Sequence, residues 1–270
     1  MTPHNLSKAK FPVAGVSCLF SLALVLLGAR FVAAQAIARV PGIDQALEMQ
    51  TASGAALSPD GQRVVYEVSR TNWKDNAFER DLWIADRAGS AHRLTAEVKS
   101  SSGAKWSPDG RWVAFVSDRP GQVPETKADS RQIYVIDPMG GEARQVTKLE
   151  DGVDGFEWAP DSKTIAFTTK DPQSKAEKDR VERYGDYTVI DGDERMTHLW
   201  TVDITAAPVA APAKTPAKDK DDASAAPTPP FGVPEAHRLT EGDGFSVQGF
   251  SWSKDGGKIA FAASKNGELS

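Results

Sequence analysis

The hydrophobic positions of this chain fall into short runs of four or five residues, each preceded by a polar turn of nearly constant spelling. Val64-Val-Tyr-Glu-Val, Val113-Ala-Phe-Val, Ile165-Ala-Phe-Thr and Ile259-Ala-Phe-Ala are such runs. They are too short for a helix and rich in β-branched and aromatic residues, so each predicts a strand. The turns ahead of them read Leu57-Ser-Pro-Asp-Gly-Gln-Arg, Trp106-Ser-Pro-Asp-Gly-Arg, Trp158-Ala-Pro-Asp-Ser-Lys and Trp252-Ser-Lys-Asp-Gly-Gly-Lys. Ser at the first position, Pro with φ already set at the second, Asp at the third and Gly at the fourth spell a type I turn. The apolar residue entering each turn (Leu57, Trp106, Trp158 or Trp252) ends a preceding strand and is expected to bury against a neighbouring sheet.

A second strand pattern follows in the first three copies: Asp81-Leu-Trp-Ile-Ala-Asp, Gln132-Ile-Tyr-Val-Ile-Asp and His198-Leu-Trp-Thr-Val-Asp. A shorter outer strand then closes on Arg93-Leu-Thr, Gln145-Val-Thr or Arg238-Leu-Thr. Asp60 and Asp109 lie 49 positions apart, and Asp109 and Asp161 lie 52 apart. Four antiparallel strands in roughly 40 to 50 residues is the period of a β-propeller blade. The fold class is therefore all-β, a propeller of four-stranded antiparallel blades, incomplete in this chain, with about three blades and the start of a fourth.

The gap from Asp161 to Asp255 is 94 positions, and two insertions account for it. Residues 170–195 are charged; Gln173 to Arg183 reads as a short helix, with Glu182, Tyr184 and Tyr187 as the side chains that could face a ligand, against the plainer reading of a solvated loop. Residues 206–236 are rich in Pro, Ala, Lys and Asp. They have little to bury and are expected to be disordered.

Residues 1–36 read as a secretory signal peptide: Lys8 and Lys10 precede an apolar stretch from Val13 to Gly28, and Ala34-Gln-Ala36 offers small residues for cleavage. The apolar stretch holds Ser17 and Ser21 and is short for a span, so stable membrane insertion after cleavage is not expected. Cleavage removes Cys18, the single cysteine, and with it any disulfide, thiolate ligand or cysteine nucleophile. It also takes Lys8, Lys10 and Arg30, moving the formal net charge from −5 to −8, which argues against nucleic acid as a partner. The expected destination is the periplasm or the outside.

Chemistry-bearing motifs are sparse. His92 and His237 occupy equivalent positions ahead of Arg-Leu-Thr, His198 precedes Leu-Trp, and His4 falls in the signal. A repeated position implies a structural job. There is no Gly-x-Ser-x-Gly elbow, phosphate-binding glycine loop or metal spacing. The recurring Asp60, Asp109, Asp161 and Asp255 read as turn residues rather than paired carboxylates or calcium ligands. No catalytic residue, cofactor or metal site is assigned, and substrate-binding residues are left unassigned.

These residues carry a resemblance. Ala55-Ala-Leu-Ser-Pro-Asp-Gly-Gln-Arg-Val-Val-Tyr after the lead-in Gln45 to Thr51, Asn72-Trp-Lys-Asp-Asn, Asp81-Leu-Trp, Phe115-Val-Ser-Asp-Arg and the Thr188 to Asp203 stretch are together similar to the amino-terminal propeller of secreted bacterial prolyl oligopeptidase family serine peptidases, in the dipeptidyl-peptidase and acylaminoacyl-peptidase branch. The turn repeat alone is shared with TolB-like propellers. The resemblance implies an α/β-hydrolase domain with a Ser-Asp-His triad following the propeller, and that domain is absent from these 270 residues. It also implies glutamates on a propeller insertion that hold a substrate amine. Glu177 and Glu182 lie on an insertion but are not adjacent, so the role is not carried over.

Ser270 follows Lys265-Asn-Gly, a hairpin signal, where a further strand is due, so the chain is expected to be a fragment of a longer gene product. Two function classes follow. One is the non-catalytic, substrate-gating propeller of an exported serine peptidase that hydrolyses short peptides, inactive alone because the missing C-terminal hydrolase domain performs the chemistry. The other is a TolB-like periplasmic protein-binding propeller without enzymatic activity.

Overall fold

The computed structural model describes residues 42–96, 99–119, 130–185, 195–206 and 232–265. The expected signal segment 1–36, Tyr187 and most of the 206–236 insertion lie outside them. The chain divides into Met1–Leu47 and Glu48–Ser270. In the first unit, helix α1 (Ile43–Leu47) is a short turn of helix with no buried residue.

The second unit is a succession of antiparallel sheets. Blade 1 is β1 (Thr51–Leu57), β2 (Arg63–Asn72), β3 (Ala77–Asp86) and β4 (Ala91–Arg93) in spatial order. Blade 2 is β5 (Ser101–Trp106), β6 (Val113–Ser117), β7 (Gln132–Ile136) and β8 (Arg144–Gln145). Blade 3 is β9 (Gly155–Trp158), β10 (Thr164–Lys170), helix α2 (Lys175–Tyr184), β11 (Thr197–Asp203) and β12 (Ala236–Arg238), the strands again pairing in chain order. Of blade 4, the described residues hold β13 (Phe245–Trp252) and β14 (Ile259–Lys265). This is an incomplete propeller of the expected class, and the first strands adjoin between blades 1 and 2 and between blades 2 and 3.

Each Ser-Pro-Asp-Gly segment is a closed turn. Gly61 N–H donates to Ser58 O at 2.9 Å, and the pattern recurs at Gly110 and Gly256. The carboxylate of Asp60 accepts from Ser58 Oγ at 2.6 Å and from Gln62 N–H at 3.1 Å, while Ser58 Oγ accepts from Arg63 N–H at 2.9 Å. Asp109 and Asp255 repeat the arrangement with Ser107 and Ser253. The serine hydroxyl and the backbone N–H hold the carboxyls of Asp60 and Asp255 below the usual carboxylate range. In the third copy Ala159 has no hydroxyl, and Thr164 substitutes: its N–H and Oγ1 both donate to Asp161 at 2.8 Å. Partial burial pushes the Asp161 carboxyl up, but the donors from Thr164 and Lys163 outweigh it and the net direction is down. The fourth turn position requires positive φ, supplied by Gly61, Gly110 and Gly256. Ser162 takes that conformation at φ 60°, where its Oγ accepts Asp109 N–H at 3.0 Å and joins the turns of blades 2 and 3.

The blades interlock through unlike faces. One face of blade 1 offers Val65, Leu82, Ile84 and Leu94, and blade 2 answers with Trp106, Val113, Phe115, Tyr134 and Ile136. Blade 2 then offers Ala114, Val116, Ile133 and Val135 to Phe156, Trp158, Ile165, Phe167 and Val202 of blade 3. Small and branched residues on one side receive aromatic ones on the other. The turn-entering tryptophans of blades 2 and 3 also bond backward: Trp106 Nε1 donates to Ala56 O at 3.0 Å, and Trp158 Nε1 to Lys105 O at 3.1 Å. The third interface packs Ala166 and Leu199 against Val247, Trp252 and Ile259, but the buried Trp252 Nε1 has no hydrogen-bond partner. Leu57 departs from expectation. It is 66% exposed, whereas Trp106 and Trp158 are buried, because this residue packs onto the preceding blade and the described residues place none ahead of blade 1.

A threonine ties the third and fourth strands of every complete blade. Thr95 Oγ1 accepts Leu82 N–H, Thr147 Oγ1 accepts Ile133 N–H and Thr240 Oγ1 accepts Leu199 N–H, all at 2.9 Å. The Leu-Thr and Val-Thr signature in the sequence is this tie.

Two substitution pairs test the interlock. Trp158→Phe keeps the ring and strands Lys105 O, so it is expected to cost about 1–2 kcal/mol in urea unfolding, whereas Trp252→Phe loses no bond and should stay within about 0.5 kcal/mol of the parent. Thr147→Val leaves a buried N–H unsatisfied and is expected to cost about 1–3 kcal/mol, with Thr147→Ser recovering most of it.

Candidate functional site

Antiparallel strand order sends the β2–β3, β6–β7 and β10–β11 connections, together with the links between blades, to the end of the molecule away from the Ser-Pro-Asp-Gly turns. Both sequence insertions leave blade 3, and the first, residues 170–195, emerges at this end. Its helix was expected over Gln173 to Arg183 and forms as α2. Ser174 caps it: Glu177 N–H donates to Ser174 Oγ at 3.1 Å while Ser174 N–H donates to Glu177 Oε2 at 2.6 Å, a capping box. Gly185 ends the helix at φ 85°, its N–H returning to Val181 O at 2.9 Å. Lys178 Nζ reaches Glu150 at 2.8 Å and ties the helix to the link between blades 2 and 3. Glu177 is thus committed to the helix cap. Glu182 and Tyr184 are exposed, with the Arg183 guanidinium 5.9 Å from the Tyr184 ring centre; Tyr187 lies outside the described residues.

Beneath these loops is a set of buried polar groups at one repeated position. Asp81, Gln132 and His198 stand immediately before Leu82, Ile133 and Leu199 in the third strands, and all three are buried. The carboxylate of Asp81 accepts from Arg93 at 2.7 Å, with Arg70 at 3.5 Å. Gln132 Oε1 accepts from Thr147 Oγ1 at 2.9 Å and Leu149 N–H at 3.0 Å, and its Nε2 donates to Leu149 O at 2.7 Å. His198 Nδ1 lies 3.1 Å from Thr240 Oγ1, and its Nε2 lies 3.3 Å from Asp171 Oδ2 outside hydrogen-bonding geometry. Asp171 also pairs with Arg238 at 3.0 Å. Arg195 bonds Asp171 O at 3.2 Å and makes a close ion pair with Asp151.

Asp171, His198 and Thr240 follow the order of a carboxylate, imidazole and hydroxyl relay. Their chemistry is nonetheless that of a strand tie. Thr240 Oγ1 accepts Leu199 N–H and shares its other hydrogen bond with His198 Nδ1, and His198 is fully buried. Thr95 and Thr147 do the same work beside Asp81 and Gln132. His92 and His237 lie on the exposed outer strands β4 and β12. Sequence reading singled out the histidines one by one and missed the polar trio, although the aligned positions ahead of Leu-Trp, Ile-Tyr and Leu-Trp were its signal.

Blade 2 adds Arg119, from the Ser-Asp-Arg end of its second strand. The guanidinium lies 4.9 Å from the Tyr134 ring centre and 5.2 Å from that of Phe115. It donates to Ser117 Oγ at 3.2 Å and Ser101 Oγ at 3.0 Å. Among the described residues no cluster of His, Cys, Asp and Glu has the makings of a metal site.

The family described as the dipeptidyl peptidase IV (DPP IV) N-terminal region matches residues 58–189. The chain is 35% identical over 133 residues to an uncharacterized peptidase, YuxL, of Bacillus subtilis (strain 168), covering 46% of this chain and 19% of that protein. It is 30% identical over 237 residues to dipeptidyl-peptidase 5 of Porphyromonas gingivalis, covering 81% of this chain and 30% of that protein. The chain thus spans less than a third of the length of either relative. An acylaminoacyl peptidase structure from Pyrococcus horikoshii aligns with a TM-score of 0.46 at 18% identity, over 59% of this chain and 24% of that one. Residues 58–189, from the first Ser-Pro-Asp-Gly turn to just past helix α2, thus match the dipeptidyl peptidase IV N-terminal-region family, and this stretch is similar to the amino-terminal propeller of prolyl oligopeptidase-family peptidases.

Proposed function

We propose that this chain is the non-catalytic, substrate-gating propeller of an exported serine peptidase that hydrolyses short peptides. The observation that carries the reading is the family match over residues 58–189, supported by relatives named as peptidases. The propeller would restrict access by size, admitting short or unstructured peptides, while acyl transfer is performed by a Ser-Asp-His triad on a hydrolase domain encoded beyond residue 270. The polar groups at the loop end favour a gating role over catalysis, since Asp81, Gln132, His198 and Arg195 are occupied in holding strands and links together. Export to the periplasm or the outside follows from the signal segment 1–36, and no helix among the described residues is long and apolar enough to cross a membrane.

The test has two parts. Reading the encoding DNA past codon 270 is expected to find several hundred further codons with Gly-x-Ser-x-Gly followed by Asp and His; a continuation made only of further Ser-Pro-Asp-Gly blades would turn the assignment to a protein-binding propeller of TolB type. The purified 270-residue chain is expected to release no nitroaniline from aminoacyl- or dipeptidyl-nitroanilides above a buffer control, and turnover would contradict the non-catalytic role.

A further inference from the structure

Seven Asp-Gly pairs occur in the chain, and six of them fall among the described residues: Asp60–Gly61, Asp109–Gly110, Asp151–Gly152, Asp154–Gly155, Asp243–Gly244 and Asp255–Gly256. Such a pair carries a built-in reaction. With no Cβ to shield it, the glycine nitrogen attacks the aspartate γ-carbon; an N–Cγ bond forms, and the N–H hydrogen leaves with the carboxyl hydroxyl as water. Water then opens the resulting succinimide at either carbonyl. One opening restores aspartate, and the other leaves the main chain routed through the β-carbon as isoaspartate, with no change of oxidation state.

Three of the six pairs sit in the turns that enter the second strands, and there both reacting groups are engaged. The carboxylates of Asp60, Asp109 and Asp255 each accept the hydroxyl of the serine two residues earlier at 2.6 Å and the backbone N–H two residues later at 3.1 Å. The glycine N–H groups are turned the other way and donate to Ser58 O, Ser107 O and Ser253 O at 2.9 Å. The same donors hold the carboxyls of Asp60 and Asp255 below the usual carboxylate range, which keeps them ionised and poorly electrophilic. The remaining turn, in blade 3, makes the comparison. It opens on Ala159, which has no hydroxyl, and its aspartate, Asp161, is followed by Ser162 at φ 60°, a left-handed conformation that favours glycine. The turn without the serine is thus the turn without an Asp-Gly bond.

Two further pairs are held by packing and pairing. Asp151 makes its ion pair with Arg195, and Gly152 is pressed against the next strand, where a Cβ would lie 2.7 Å from Arg131 O. Asp154 N–H donates to Thr168 O at 2.9 Å, and Gly155 stands opposite Thr168 in β9. Asp243–Gly244 is different. Both residues are exposed on the link between β12 and β13, and a Cβ at Gly244 would meet nothing within 4 Å.

We propose that Asp243–Gly244 is, among the described residues, the site at which this chain is modified to isoaspartate, and that Ser58, Ser107 and Ser253 guard the pairs of their own turns against the same reaction. The modification adds a methylene to the main chain of the link that delivers β13. The inference is independent of the gating role.

The test is incubation of the 270-residue protein at near-neutral pH and physiological temperature, followed by peptide mapping with electron-transfer fragmentation, which tells isoaspartate from aspartate at each position. Isoaspartate is expected to accumulate at residue 243 at least tenfold faster than at residues 60, 109 and 255, and all four pairs are expected to react at similar rates in urea. Gly244→Ala is expected to slow the reaction at residue 243 at least tenfold while leaving the thermal midpoint at its parental value. Ser58→Ala is expected to speed isoaspartate formation at residue 60 at least tenfold with residues 109 and 255 unchanged in the same molecule, and Ser253→Ala, at a half-buried position, to do so at residue 255 alone. Equal rates at residue 243 and at the turns of the folded protein would overturn the site, as would rates in urea that keep the folded order. Serine variants whose own turns react no faster would overturn the guarding role.

Discussion

The structure depends on the mismatch between the two faces of a blade. One face is small and branched, the other aromatic, and neither can be buried except against its complement on a neighbour. Ala114, Val116 and Val135 leave a recess that Phe156, Trp158 and Phe167 fill, and the indole N–H of the entering tryptophan fixes the depth of the fit by reaching the backbone of the blade before it. Non-directional burial of apolar surface supplies the driving force, and the directional bond selects one seating among several. The Ser-Pro-Asp-Gly turn serves the same end. With its carboxylate satisfied by the local hydroxyl and N–H groups, it delivers tryptophan and the following strand in fixed register.

That division of labour sets what the loop end can do. In each complete blade one polar residue of the third strand, Asp81, Gln132 or His198, is buried and committed to holding its own blade. A buried polar group of this kind is tolerable only when partnered, and the Arg-Leu-Thr and Gln-Val-Thr segments provide the partners. The loop end therefore has a rigid floor, on which the α2 insertion is positioned by its capping box and by Lys178 at Glu150. Such a floor confines variation to the loops above it.

The blade repeat was legible in the sequence because turn chemistry and strand pattern recur together: Pro, Asp and Gly mark the turn, and Val-Ala-Phe-Val or Ile-Ala-Phe-Thr the strand that follows. Helix α2 was legible from its charge pattern, formed one residue past the expected end, and its Ser174–Glu177 capping box explains its start. Leu57 was misjudged because burial of a turn-entering residue depends on the blade it faces, which local sequence does not report. The Asp81, Gln132 and His198 series was missed because three different residue types share one job; only alignment in space, through Thr95, Thr147 and Thr240, makes them equivalent. The unpaired Trp252 indole was equally invisible, since it concerns strands that are not neighbours in the sequence.

The central claim is that stability resides in blade-to-blade interlock and is complete only where a blade has all four strands. Amide hydrogen exchange resolved by strand tests it most directly. The account predicts the slowest exchange in β6, β7, β10 and β11, opening together, and exchange at least tenfold faster throughout β13 and β14. Protection in β14 equal to that in β6 would contradict it, because blade 4 would then be as firmly held as the complete blades.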